Sequence, residues 1–214
     1  MSLTETLANK NAESRARIPS EALEIMDRAT NSLKDAHILN NAIKVNDTFP
    51  NAVLKNINGD NKGIDSLKGE KATIISFYRG GWCPYCNIEL QALQTALPEF
   101  NELGANLIAI TPETPDNSLS TSEKNALSFE VLSDIDNTFA REIGLVFKMP
   151  KELQEVYSKF GIDVKKHNQN DDYELPIAAT FVIDNNNAVK YVYTNEDYTK
   201  RADINEIKSA IKSL

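Results

Sequence analysis

Ile75-Ser76-Phe77-Tyr78-Arg79-Gly80-Gly81-Trp82-Cys83-Pro84-Tyr85-Cys86 holds both cysteines of this 214-residue chain. The run Lys71-Ala72-Thr73-Ile74-Ile75-Ser76-Phe77 is rich in β-branched residues and predicts a central buried strand. Gly80-Gly81 ends it. After Pro84, the apolar residues Ile88, Leu90, Leu93, Leu97 and Phe100 recur at helical intervals as far as Gly104, a residue suited to a helix terminus. Pro84 fits the first helical position, where its missing N–H would have had no partner anyway. Cys83 therefore falls at or just before a helix N-terminus, and Cys86 in its first turn. Free N–H groups and the positive end of the helix dipole favour a thiolate there, lowering a cysteine pKa from about 8.5 to roughly 3.5–7.5. A Cys-x-x-Cys pair in this position can close into a disulfide and reopen, which is two-electron thiol chemistry. Trp82 supplies an apolar wall beside the pair, and Arg79 a positive charge.

Toward the N-terminus, Ile18, Ala22, Ile25, Met26, Ala29 and Leu33 keep helical spacing within a region running from about Thr4 to Asn40. Pro19-Ser20-Glu21 suits a helix start and Asn40-Asn41 its end. Residues 1–41 thus read as a helical extension without chemistry of its own, a packing or dimer-contact arm, and residues 42–214 as the redox domain. From Val45 the chain changes to short strands, with Asn58-Gly59-Asp60 turning a hairpin between Ala52–Ile57 and a segment ending at Ile64. Beyond Gly104 come a buried strand at Asn106–Ile110, a helix near Asp116–Asn125 and a short strand at Phe129–Leu132. Helices near Asp136–Ile143 and Pro150–Phe160 follow, then a strand pair at Thr180–Asp184 and Val189–Tyr193, and a closing helix at Ile204–Ile211. Lys165–Asp172 reads as a mobile loop. Strands alternating with helices predict an α/β three-layer fold.

Composition limits the partners. A formal net charge of −8 argues against nucleic acid or an anionic membrane surface, both of which need clustered Lys and Arg. The segment Met1–Lys10 lacks the basic-then-apolar pattern of a secretory signal, and no run approaches the ~18 apolar residues of a membrane span. The expectation is a cytoplasmic protein, where a close cysteine pair means catalysis or metal binding rather than a structural staple. Zinc would need two more ligands, and only His37 and His167 are available, neither at paired spacing. The same shortage disfavours a cysteine hydrolase. Both histidines read as surface or loop residues.

With these residues placed, the chain from Val45 onward resembles the peroxiredoxin-like branch of the thioredoxin fold, the alkyl hydroperoxide reductase and thiol-specific antioxidant (AhpC/TSA) family. The anchors are Val45-Asn46-Asp47-Thr48-Phe49-Pro50, the Ile75–Cys86 stretch, Val131-Leu132-Ser133-Asp134 and Ala179-Thr180-Phe181-Val182-Ile183-Asp184. The resemblance implies a thioredoxin-like three-layer fold with a central mixed sheet. It places the peroxidatic cysteine on Cys86, because Glu89 completes the family's Cys-x-x-Glu. Cys83 stands at the family's Thr or Ser, Arg79 at its Pro and Ala178 at its late Arg, three departures in the set that stabilises the breaking O–O bond. Thioredoxin-like proteins also carry a proline beside the disulfide, for which Pro176 is the nearest candidate.

The leading expectation is a thiol peroxidase in which Cys86 attacks a hydroperoxide and Cys83 resolves the sulfenic acid as a disulfide. A thioredoxin-like reductant recycles it, with no cofactor. An alternative makes Cys83 the nucleophile of a disulfide reductase. A third, of another class, has the paired thiolates bind copper(I) or a metal cluster. A homodimer is compatible with such folds, and no residue specifies one.

Overall fold

The computed structural model describes residues 1–214. It opens with α1 (Leu3–Arg17) and α2 (Ser20–Asp35), followed by the hairpin strands β1 (Val53–Asn56) and β2 (Asn61–Gly63). The redox stretch is β3 (Ala72–Phe77) and α3 (Pro84–Glu102), and then come β4 (Ala105–Thr111), α4 (Pro115–Asn125), β5 (Glu130–Ser133) and α5 (Thr138–Glu142). β6 (Val146–Lys148), α6 (Lys151–Lys159), α7 (Val164–Asn168) and β7 (Glu174–Pro176) form an insertion before β8 (Ala179–Asp184), β9 (Val189–Thr194) and α8 (Ile204–Lys212).

One seven-stranded mixed sheet runs in the order β2-β1-β5-β4-β3-β8-β9. β3 pairs parallel with β4 and antiparallel with β8, so all six of its residues are buried. That double burial explains its unbroken apolar reading. On one face Phe49, Phe77, Phe139 and Phe181 form an aromatic cluster, with Phe49 and Phe181 ring centroids 5.3 Å apart. On the other, Leu93, Leu97 and Phe100 of α3 pack with Ile207 and Ile211 of α8. Helices on both faces of a mixed sheet make the expected three-layer α/β fold.

The N-terminal extension is helical as expected, and it is made of two helices. Ser2 caps α1 in a reciprocal box with Glu5, and Pro19 separates it from α2, because proline cannot supply the N–H that would continue the helix. α2 stops at Asp35, and the turn at Ile38–Asn41 is 3-10 after a left-handed His37. Leu3 and Leu7 of α1 are buried in the same cluster as Cys83, Cys86 and Leu90. α2 lays Ala22, Ile25, Met26 and Ala29 against Leu153, Val156 and Tyr157 of α6. The arm therefore roofs the cysteine motif.

Lys165–Asp172 is not a loop throughout. Asp163 accepts from the Lys166 N–H and caps α7, whose Val164 and Asn168 are buried. The short β6–β7 ribbon had no periodic signal in the sequence, since three residues per strand are too few to show alternation. No helix is long and apolar enough to cross a membrane.

Candidate active site

The strand, the glycine turn and the helix set the two sulfurs. Cys83 is the N-cap of α3 in extended conformation (φ −86°, ψ 116°), with Pro84 opening the helix as its sequence position predicts. The turn before it has no room for side chains: a Cβ on Gly80 would lie 2.3 Å from Trp82 Nε1, and one on Gly81 2.0 Å from Thr121 Oγ1. Gly80 also adopts φ +149°, which favours glycine. Glu113, fully buried in the β4–α4 connection, accepts from the Gly81 N–H at 2.9 Å and holds the turn down. His167 of α7 brings Nδ1 to 2.8 Å of the other Glu113 oxygen, off the line of an aligned hydrogen bond. The side chain stays partly exposed, in keeping with its surface reading, while Nδ1 faces a buried carboxylate.

Both cysteines are free thiols, one at the N-cap and one in the first turn of α3, and each influences the charge state of the other. Cys83, only 1% exposed, lines a cleft of about 120 Å³ walled by Ile18, Met26, Trp82, Tyr157 and Tyr198; Cys86 lies wholly inside. Burial pushes the Cys83 thiol up, but the neighbouring Cys86 thiol and the charges of Arg79 and Arg201 outweigh it, leaving Cys83 below the ordinary thiol range. Burial, and then the neighbouring Cys83 charge, hold Cys86 well above that range. The pair shares one negative charge, carried by the sulfur at the helix tip and the cleft.

This polarity gives a pH prediction. A thiol held low keeps its thiolate as pH falls, until the pH passes its own folded value. Iodoacetamide labelling of Cys83, read by mass spectrometry, should therefore change little between pH 8 and 6.5. A free thiol with pKa about 8.5 loses roughly tenfold in rate per pH unit below that value. A tenfold-per-unit fall for Cys83 would show that the helix tip and the arginines do not set its charge.

Two buried arginines flank the pair. Arg79, read in the sequence as a charge near the motif, is 2% exposed and lies over the rings of Trp82, Tyr157 and Tyr198 at 4.9, 5.6 and 4.7 Å. Its Nη2 donates to the Tyr157 hydroxyl at 2.5 Å. Trp82 forms the expected wall, its ring edge-on to Tyr157 at 5.7 Å. The second guanidinium, Arg201, comes from the segment between β9 and α8, which the sequence reading passed over. Arg201 Nη2 donates to Cys86 Sγ at 3.2 Å, Nε to Glu89 at 2.5 Å, and Nη1 to the carbonyls of Tyr198 and Lys200. Glu89 is buried, and burial pushes its carboxyl up to about 7 even with Arg201 beside it.

Pro176 lies outside the Cys83 cleft. Its peptide bond is trans, β7 pairs it with Val146, and it lines a neighbouring cleft that also contains Arg79, Tyr157 and Tyr198. The ribbon sets it in that cleft, which shares Arg79, Tyr157 and Tyr198 with the one over Cys83. Ala178, at the register where the family's Arg was sought, is buried and apolar. Arg201 supplies the guanidinium beside the helix from another element. No spacing rule could have found it, because a Lys200-Arg201 pair next to a loop reads as solvated surface. Tyr157 was equally hidden, since on the apolar face of α6 it reads as core.

The comparisons agree with this architecture. Peroxiredoxin Q of Gentiana triflora, a chloroplastic protein, is 28% identical over 147 residues, which are 69% of this chain and 57% of that one. Peroxiredoxin Q of Populus jackii is 26% identical over 165 residues, 77% of this chain and 66% of that one. The chain thus spans about three-fifths of the length of these relatives. The crystal structure of peroxidoxin BcpB from Mycobacterium tuberculosis superposes with a TM-score of 0.63 at 18% identity, covering 80% of this chain and 98% of that one. The AhpC/TSA family model matches residues 45–192, a span that contains β1 to β8, most of β9, the glycine turn and both cysteines. On that match the chain belongs to the AhpC/TSA family.

Proposed function

We propose that the protein is a thiol-dependent peroxidase whose Cys83–Cys86 pair reduces a hydroperoxide and closes into a disulfide. The observation that carries the order of events is that Cys83 alone faces the cleft and bears the shared negative charge. The Cys83 thiolate attacks the terminal peroxide oxygen, the O–O bond breaks, and Cys83 becomes a sulfenic acid while the alkoxide takes the Cys86 thiol proton. The Cys86 thiolate so formed sits against Arg201 Nη2. It attacks Cys83 Sγ, and hydroxide leaves as water after taking a proton from solvent. A thiol of the thioredoxin or glutathione kind returns the dithiol. The three family positions filled here by Arg79, Cys83 and Ala178 are answered by two buried guanidiniums, which place positive charge where negative charge develops.

A second reading keeps the family's order, with Cys86 attacking, and it has its own support in the Arg201 contact and in Glu89 three residues on. Sulfenic acid trapping separates the two. After one equivalent of hydrogen peroxide, Cys86→Ser treated with dimedone should carry the adduct on Cys83, and Cys83→Ser should carry none. The adduct on Cys86 alone would assign attack to the inner sulfur, and adducts in neither variant, with peroxide unconsumed, would remove the peroxidase reading.

A further inference from the structure

Arg79 is a buried cation without a carboxylate. Its Nη2 is satisfied by Tyr157, while its Nε has no hydrogen-bond partner. Arg201, by contrast, has Glu89 on one edge and Cys86 on the other. The three rings around Arg79 are cation–π partners, and they return only part of the cost of taking its charge out of water. In the reduced protein the Cys83 thiolate supplies the missing negative charge. Once Cys83 and Cys86 join, neither sulfur is charged, and Arg79 is left uncompensated in the wall of the cleft that opens onto Cys83.

We propose that Arg79 is a carboxylate site that fills when the dithiol is oxidised, and that the thiol reducing the disulfide is a small molecule bearing that carboxylate. The inference rests on the dithiol cycle proposed above. The cleft matches a short amphipathic molecule: Arg79 offers the charge, while Ile18, Met26, Phe160 and Ile162 offer apolar walls. With Cys83 only 1% exposed under the N-terminal arm, a small thiol reaches the sulfur where a folded partner is kept off by α1 and α2. The bound thiolate attacks Cys83 Sγ, the Cys83–Cys86 bond breaks, and its electron pair goes to Cys86 beside Arg201. A second thiolate then attacks the outer sulfur of the mixed disulfide, releasing the small-molecule disulfide and the Cys83 thiolate, while Cys86 takes a proton from solvent. Two thiols are oxidised for each protein disulfide reduced.

The test begins with protein oxidised by one equivalent of hydrogen peroxide, the disulfide being verified by a loss of two hydrogens in intact mass. Its reduction by 3-mercaptopropionate and by 2-mercaptoethanol is then followed through Trp82 fluorescence, each rate taken per thiolate. The expected result is at least a tenfold advantage for mercaptopropionate, falling to about onefold in Arg79→Gln. A second measurement needs only the wild-type protein. Butyrate, which has no thiol, should bind the oxidised form preferentially and make the dithiol potential more negative, by about 30 mV where it favours that form tenfold, while butanol leaves it unchanged. Equal rates per thiolate together with a potential unmoved by butyrate overturn the carboxylate site, as does rapid reduction by a protein dithiol such as thioredoxin when mercaptopropionate shows no advantage. Failure of the disulfide to form overturns the dithiol cycle and the inference together, so the two failures are told apart at the first step.

Discussion

Replacing Cys83 with serine is expected to lower peroxide turnover at least ~10³-fold while leaving the fold intact, because a hydroxyl is a very weak nucleophile at neutral pH without a base to activate it. The fold survives for a local reason. Cys83 is the N-cap of α3 yet makes no side-chain capping bond, and serine is among the residues preferred there. Thermal unfolding of Cys83→Ser should remain cooperative, with the midpoint lowered because buried Arg79 loses the thiolate that offsets its charge, while steady-state peroxide consumption with a thiol reductant collapses. Activity within tenfold of wild type would show that the sulfur at the helix tip is not the one on which turnover depends.

Arg201→Met should be the most damaging substitution to stability outside the sheet core. It removes the cation from Glu89, a carboxylate with almost no access to water, and breaking a buried pair from one side costs about 3–5 kcal/mol. The loss is pH-dependent, with a definite sign. Glu89 is already raised to about 7 with Arg201 present. A carboxyl whose folded value lies above its unfolded value of about 4.3 contributes its full stability below the latter and loses it as pH rises through the former. Without the guanidinium the folded value rises further, so the penalty of Arg201→Met is small near pH 5 and largest near pH 8. Urea denaturation at the two pH values reads this directly. The double variant Arg201→Met/Glu89→Gln should recover most of the alkaline loss, since no unpaired charge is then buried. In the same single variant Cys86 loses its donor, so disulfide closure after peroxide should slow. Equal destabilisation at both pH values would mean that Arg201 acts through packing alone.

Much of the fold was legible because it rests on local patterns. β3 and α3 show as an unbroken apolar run and a helical period, and Pro84 marks the first helical residue. The β8–β9 pair followed from two apolar runs flanking Asn185-Asn186-Asn187. The β6–β7 ribbon and α7 were missed because three- and five-residue elements carry too little period to stand out. At the site, Cys83, Cys86, Trp82, Pro84, Arg79 and Glu89 are gathered around one helix start, since all lie within a single strand-turn-helix unit. Arg201, Tyr157, Tyr198 and the Glu113–His167 pair come from other elements, and Pro176, the candidate for a proline bordering the site, lines the adjoining cleft that shares Arg79, Tyr157 and Tyr198.

The order of residues along the chain determined that two sulfurs sit at the tip of a helix behind a buried strand, because spacing and residue type act within a few residues of each other. Which sulfur bears the charge was settled only when distant segments folded together. The cleft over Cys83 is walled by α1, α2 and α6, and the guanidinium on Cys86 arrives from the far side of β9, from a residue 115 positions along the chain, contacts that no local pattern encodes.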